Sequence, residues 1–175
     1  MNYAEIKTFD VANGPGIRVS LFVSGCNHRC PGCFNEQAWD FNFGQPFTQE
    51  TIDYIIDTLS FGAYQGVTFL GGEPMEPVNQ EGLLPLARKI KETYPEKDIW
   101  CFTGYDFEKD IIGHMYNECP ETKELLSYID VLVDGPFIEA QKNLNLVFRG
   151  SENQRLIRIP ETLKTGNIVL WEKEM

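Results

Sequence analysis

A chain of 175 residues is long enough for one domain, spanning 1–175, that buries roughly two thirds of the surface its unfolded form exposes. Its 15 Lys and Arg stand against 26 Asp and Glu, a formal charge of −11 that disfavours nucleic acid or a membrane surface as partner, since phosphate binding needs concentrated positive charge. No run approaches the roughly 18 apolar residues of a membrane span, and the opening MNYAEIKTFDV lacks the basic start and apolar run of an export signal. Clustered cysteines in such a chain predict metal or redox chemistry in the cytoplasm rather than a disulfide framework.

Along the chain, RVSLFVSG (Arg18–Gly25) is rich in β-branched and apolar residues and reads as a strand that ends in a Ser-Gly breaker. TQETIDYIIDTLS offers Thr48 as a helix cap, and Ile52, Ile55, Ile56 and Leu59 follow on one stripe. GVTFLGG (Gly66–Gly72) is a second strand running into a double-glycine turn. EGLLPLARKIKETY (Glu81–Tyr94) reads as a helix that tolerates Pro85 only near its first turn. DIWCFTG (Asp98–Gly104) is a third strand, DFEKDIIGHMY and ETKELLSYI are helical, and DVLVDGPF (Asp130–Phe137) is a fourth strand. LNLVFRG, RLIRI and NIVLW are further extended candidates.

Strand and helix alternating at this spacing predict parallel βαβ units, whose functional residues sit on loops at the strands' C-terminal ends. The cysteine loop and the GGEP, TGY and DGPF turns all fall at such ends, so they converge on one face. A closed eight-unit barrel needs about 250 residues. The expected fold is therefore α/β, a partial, open β/α barrel of about five or six mostly parallel strands.

The segment GCNHRCPGCFN places Cys26, Cys30 and Cys33 in C-x3-C-x2-C spacing. Three thiols complete neither a disulfide pair nor a closed four-cysteine site. Structural zinc, with His28 or His114 as fourth ligand, is one reading, but such sites are commonly built from paired elements and only one pair is present. Cys101 and Cys119 have no matching spacing. A [4Fe-4S] cluster ordinarily takes four thiolates; three leave one iron open to a substrate. In LGGEP, two glycines allow close approach to the backbone and the carboxylate suits an ammonium group, although a plain βα turn also explains Gly and Pro there.

On these residues the chain resembles the radical S-adenosylmethionine enzymes, whose cluster loop follows the first strand. The commoner motif has an aromatic residue before the last cysteine; here Gly32 stands there and Phe34 follows. That departure is similar to one branch, the activators of anaerobic ribonucleotide reductase. The resemblance extends through NGPGIR, GQPFT, GGEP, KDIWCFTGY, DVLVDGPF and FRGSENQR. It implies a [4Fe-4S] cluster on Cys26, Cys30 and Cys33. It further implies S-adenosylmethionine held by Gly71, Gly72 and Glu73 at its amino group, and by Gly32, Cys33 and Phe34 at its adenine end. Reductive cleavage would give a 5′-deoxyadenosyl radical that takes a hydrogen atom from a glycine of the reductase's large subunit. The electron donor would be flavodoxin-, ferredoxin- or thioredoxin-like. The alternatives are an activator of another glycyl radical enzyme, or a non-enzymatic iron–sulfur or zinc-binding module.

Arg18, Asp134 and the Arg149–Gln154 loop remain open between cofactor, partner and solvent. Trp39, Phe41, Phe43 and Phe47 read as core, with a docking rim as the alternative. Cys101 reads as a buried small hydrophobe.

Overall fold

The computed structural model describes residues 1–172, so the last three residues of the expected domain lie outside it. Seven strands form one open sheet in the order β3-β1-β2-β4-β5-β6-β7. They are β1 (Asn2–Asp10), β2 (Ile17–Val23), β3 (Gln45–Pro46), β4 (Tyr64–Gly71), β5 (Asp98–Phe102), β6 (Val131–Asp134) and β7 (Arg155–Arg158). β2, β4, β5 and β6 pair in parallel, as the βαβ pattern predicts. β1 and β7 flank them antiparallel, and β3 adds a short antiparallel edge.

The helices α1 (Gln49–Thr58), α2 (Pro77–Thr93), α3 (Tyr116–Glu118), α4 (Thr122–Tyr128) and α5 (Ile159–Thr165) complete the order, with a π-type helix over Phe107–Met115 running into α3. Alternate residues of each strand decide the layering. Val19, Leu21, Val67, Phe69, Ile99, Cys101 and Leu132 point to one face, where Ile55, Leu83, Ile90, Ile111 and Leu125 from the helices bury against them. Each such Ile or Leu contributes about 1.5–3 kcal/mol over leaving it exposed. The residues between them form a second, smaller cluster on the opposite face: Trp100, Val131, Val133 and Leu156, covered by Phe102, Phe148 and Trp171.

Four expectations need correction. The sheet has seven strands rather than five or six, because β1 and the short β3 add an antiparallel edge beside β2. Pro85 lies inside α2, because that helix starts at Pro77 rather than Glu81; Pro at the first helical position is a favoured start. LNLVFRG is no strand: Leu144 is 87% exposed, and Phe148 takes φ +56°, which breaks any extended run. NIVLW makes one bridge, Leu170 to Ile157, rather than a strand. Among the described residues no helix is long and apolar enough to cross a membrane.

Parallel register sets up the site. Val23 lies opposite Gly71, so the cysteine loop and the double-glycine turn leave the sheet side by side. Phe69 pairs with Cys101 and Phe102 with Val133, which brings the next two turns to the same end.

Candidate metal centre

All four of those turns line one cavity of about 480 Å³, within the usual range for a small-molecule site. Cys26, Cys30 and Cys33 enter from the loop after β2. Gly71, Gly72 and Glu73 follow β4, Thr103 and Gly104 follow β5, and Gly135 and Phe137 follow β6. Phe34, Trp39, Phe148 and Arg149 complete much of the wall. Every residue expected to hold the cluster or S-adenosylmethionine is there except Gly32, which sits between two lining cysteines with φ +77°. A Cβ at Gly32 would lie 3.1 Å from the Glu139 carboxylate carbon.

The two glycines of GGEP serve the chain itself. A Cβ on Gly72 would lie 2.7 Å from the Gly25 carbonyl oxygen and 2.9 Å from that of Ala38, closer than real Cβ contacts come. The N–H groups of Gly72 and Glu73 are also engaged: Gly72 donates to Val23 at 2.8 Å, and Glu73 donates to Gly25 at 2.7 Å. Those backbone donors are therefore not free for a ligand, contrary to the simplest reading of the motif.

Glu73 is only 1% exposed and its carboxylate is fully occupied. Oε1 accepts from His28 Nε2 at 2.7 Å and from Gly104 N–H at 2.6 Å; Oε2 accepts from Thr103 Oγ1 at 2.8 Å and Met75 N–H at 2.9 Å. A carboxylate offers about four lone-pair sites, so an incoming ammonium group must displace or share with one donor. His28, a side chain 20% exposed where Thr103 is buried and the other two donors are backbone, is the partner that can yield. Its hydrogen bond to Glu73 raises its pKa against the lowering effect of burial. Its ring also packs edge-on against Tyr105, centroids 4.3 Å apart. The Tyr105 hydroxyl donates to Glu76, and Asn27 Nδ2 donates to the other oxygen of Glu76. The cluster loop is thereby tied to GGEPME at two points.

Burial pushes the Cys26 thiol up to about 11 and raises Cys30 as well, with Glu73 adding to both. Metal binding reverses this, because a coordinating thiol is deprotonated outright. Among the described residues no three His, Cys, Asp or Glu side chains converge to hold a single metal ion. A four-iron cube, anchored at separate corners, makes no such demand. Cys101 is buried within β5 and Cys119 packs against Gln80, both outside the cavity lining. Three thiols lining one cavity are the donor set that a cluster with three protein thiolates would need.

The residues left open by sequence divide. Arg18 is fully buried and donates to Thr68 Oγ1, the Pro15 and Val67 carbonyls and Asp98, so it braces the sheet rather than charging the cavity. Asp134 is consumed by both Arg155 donors and the Phe107 N–H. In RGSENQ, Gln154 binds Gly150, Ser151 and Gly135, and Asn153 binds Pro136 and Ser151. Of that loop, Arg149, Gly150 and Gln154 reach the cavity. Half-buried Phe41 packs where a Gly25 Cβ would go and Phe47 packs against the main core, whereas Phe43 is exposed. Thr103, Gly104 and Glu76 are site residues the sequence reading did not name, and it offered His28 only as a zinc ligand and Trp39 only as core or docking rim. Only the TGY turn carried a local signal; the rest depend on long-range pairing.

Comparison with known proteins agrees with this geometry. Residues 12–157 match the family described as 4Fe-4S single cluster domain. A relative from Enterobacteria phage T4 is 44% identical over 158 residues, covering 89% of this chain and 93% of its own length. One from Escherichia coli K12 is 42% identical over 156 residues (88% and 96%), and one from Vibrio cholerae 43% over 161 (90% and 98%). All three are named anaerobic ribonucleoside-triphosphate reductase-activating protein. With three thiols, a glycine-built turn and a cavity between them, and with relatives this similar over nearly their whole length, the chain belongs to the family of anaerobic ribonucleoside-triphosphate reductase-activating proteins.

Proposed function

We propose that this chain activates an anaerobic ribonucleoside-triphosphate reductase by leaving a glycyl radical on its large subunit. The observation that carries the reading is the meeting of three cavity-lining cysteines with the GGEP turn at one end of a parallel sheet. Bound to them, a [4Fe-4S] cluster supplies an electron and an open iron, with which S-adenosylmethionine is cleaved to methionine and a 5′-deoxyadenosyl radical able to take a glycine hydrogen.

The chain's own residues do the rest. Cys26, Cys30 and Cys33 anchor the cluster. Glu73, with Gly71 and Gly72 setting the turn, receives the methionyl ammonium as His28 gives up its place. Gly32 to Phe34 border the adenine end, where the Phe34 ring lies 5.3 Å from Phe137 and is 68% exposed. The open sheet is read as a partial β/α barrel of the radical S-adenosylmethionine type, one domain over 1–175, working in the cytoplasm without nucleic acid or membrane. Its unclosed edges leave room for a protein loop. The electron comes from a flavodoxin-, ferredoxin- or thioredoxin-like donor.

The test is to reconstitute the protein without oxygen, supply reductant, S-adenosylmethionine and the reductase large subunit, and record electron paramagnetic resonance spectra. A glycyl radical on the reductase is expected, and none with Cys30→Ala. A radical that survives Cys30→Ala, or none from wild type with an intact cluster, contradicts the proposal.

A further inference from the structure

Asn79 is fully buried at the third position of α2, yet its side chain does not serve that helix. Its Nδ2 donates to the Ser24 carbonyl at 3.0 Å and to the Glu73 carbonyl at 2.9 Å, with the Gly25 carbonyl 3.5 Å away. Ser24 and Gly25 are the residues that lead into Cys26, and Glu73 closes the double-glycine turn. One side-chain amide therefore bonds both loops from which the site is built. Turning that amide over would set Oδ1 against carbonyl oxygens, so the hydrogen-bonding pattern assigns which atom points there.

The far side of the amide shows that this arrangement has a cost. Asn79 Oδ1 is buried and has no donor among the described residues. Folded proteins seldom leave a buried polar atom unanswered, and each exception calls for a reason. Helix geometry supplies none, because the Asn79 backbone N–H already bonds the Glu76 carbonyl at 2.9 Å. What the side chain adds is a tie between segments. Gly72 N–H to Val23 and Glu73 N–H to Gly25 join the turn to the end of β2. Asn79 joins both of these to the start of α2, so three elements meet as one unit. The Cys26 and Glu73 side chains that line the cavity are carried on the main chain so fixed. A ligand held at both ends responds steeply to their spacing, since a misplacement of about 1 Å can cost roughly a hundredfold in rate.

We propose that Asn79 is a positioning residue: it sets the spacing between the cysteine loop at Cys26 and the Glu73 turn, and thereby the fit of the amino group of S-adenosylmethionine against the cluster. The inference rests on the cofactor reading above.

The experiment compares wild type, Asn79→Ala and a control, Ile90→Val, which loosens the core face of the same helix away from the site. All are reconstituted without oxygen. Asn79→Ala should load a four-iron cluster and bind S-adenosylmethionine roughly tenfold more weakly or worse. Pulsed electron paramagnetic resonance of the reduced cluster, with saturating S-adenosylmethionine carrying ¹⁵N at its amino group, should show a ¹⁵N coupling altered from wild type. Ile90→Val should keep the wild-type affinity and coupling. Wild-type coupling in Asn79→Ala overturns the proposal, however far its melting temperature falls, and assigns Asn79 to stability alone. The same change in Ile90→Val overturns it too. Should Asn79→Ala fail to fold or to load a cluster, hydrogen exchange of the reconstituted wild type decides. Amides of residues 24–26 and 72–75 should exchange as slowly as those of β4, and exchange at the rate of an open loop overturns the tie. A wild type with an intact cluster and no ¹⁵N coupling refutes the cofactor reading itself, before any variant is compared.

Discussion

Asp10 closes the β1 end with both carboxylate oxygens engaged. Oδ2 accepts from Ser20 Oγ at 2.6 Å and Asn13 Nδ2 at 2.7 Å, and Oδ1 accepts from the Ala12 N–H at 2.8 Å. Burial alone would raise its pKa, but these hydrogen bonds and nearby Lys7 bring it below the ordinary 3.8. A depressed carboxylate stabilises the fold fully above the unfolded value, and that contribution is lost as pH falls through the folded one. Asp10→Asn places an amide donor against the Asn13 or Ser20 donor and should cost about 1–3 kcal/mol at pH 7. Urea midpoints check this, and the gap from wild type should narrow below pH ~3.8. A gap that ignores pH would contradict it. Asp10 also shows what a sequence hides: Ala12 and Asn13 come from the β1–β2 loop, but Ser20 comes from β2, brought alongside only by the antiparallel pairing. The same is true of Glu73, whose role as a hub for His28, Thr103 and Gly104 depends on β2, β4 and β5 standing side by side.

At the scale of elements, an apolar stripe located α1, and continuous apolar and β-branched runs located the four parallel strands, which are buried on both faces. β1 escaped notice because its alternation is weak, with Phe9 on the exposed side and polar Thr8 and Asp10 on the inner one. It becomes a strand by pairing with β2, where tertiary context outweighs weak local preference. α2 shows the opposite conflict. Its seventeen residues run through Pro85, whose ring removes the bond that the Glu81 carbonyl would accept. Pro85 is exposed, so nothing on the protein surface requires it. Pro85→Ala should raise the thermal midpoint, by at most about 3 kcal/mol in stability; a lower midpoint would show that the proline shapes the helix's packing.

At the scale of the whole molecule, the parallel order of β2, β4, β5 and β6 gathers loops from distant sequence into one cavity. That convergence was legible, since parallel βαβ units put their loops at one end. The antiparallel flanks were not, nor was the cover that Phe148 and Trp171 lay over Trp100, with the Trp171 ring 5.0 Å from that of Trp100. Such contacts join segments with no shared periodicity. The central claim is that three thiolates without a fourth leave an iron open to S-adenosylmethionine beside Glu73. The most direct test is to incubate the reduced, reconstituted protein with S-adenosylmethionine and quantify the products by chromatography. The account predicts 5′-deoxyadenosine and methionine in equal amounts, and neither from Cys30→Ala. An intact, reduced four-iron cluster that leaves S-adenosylmethionine uncleaved would contradict it.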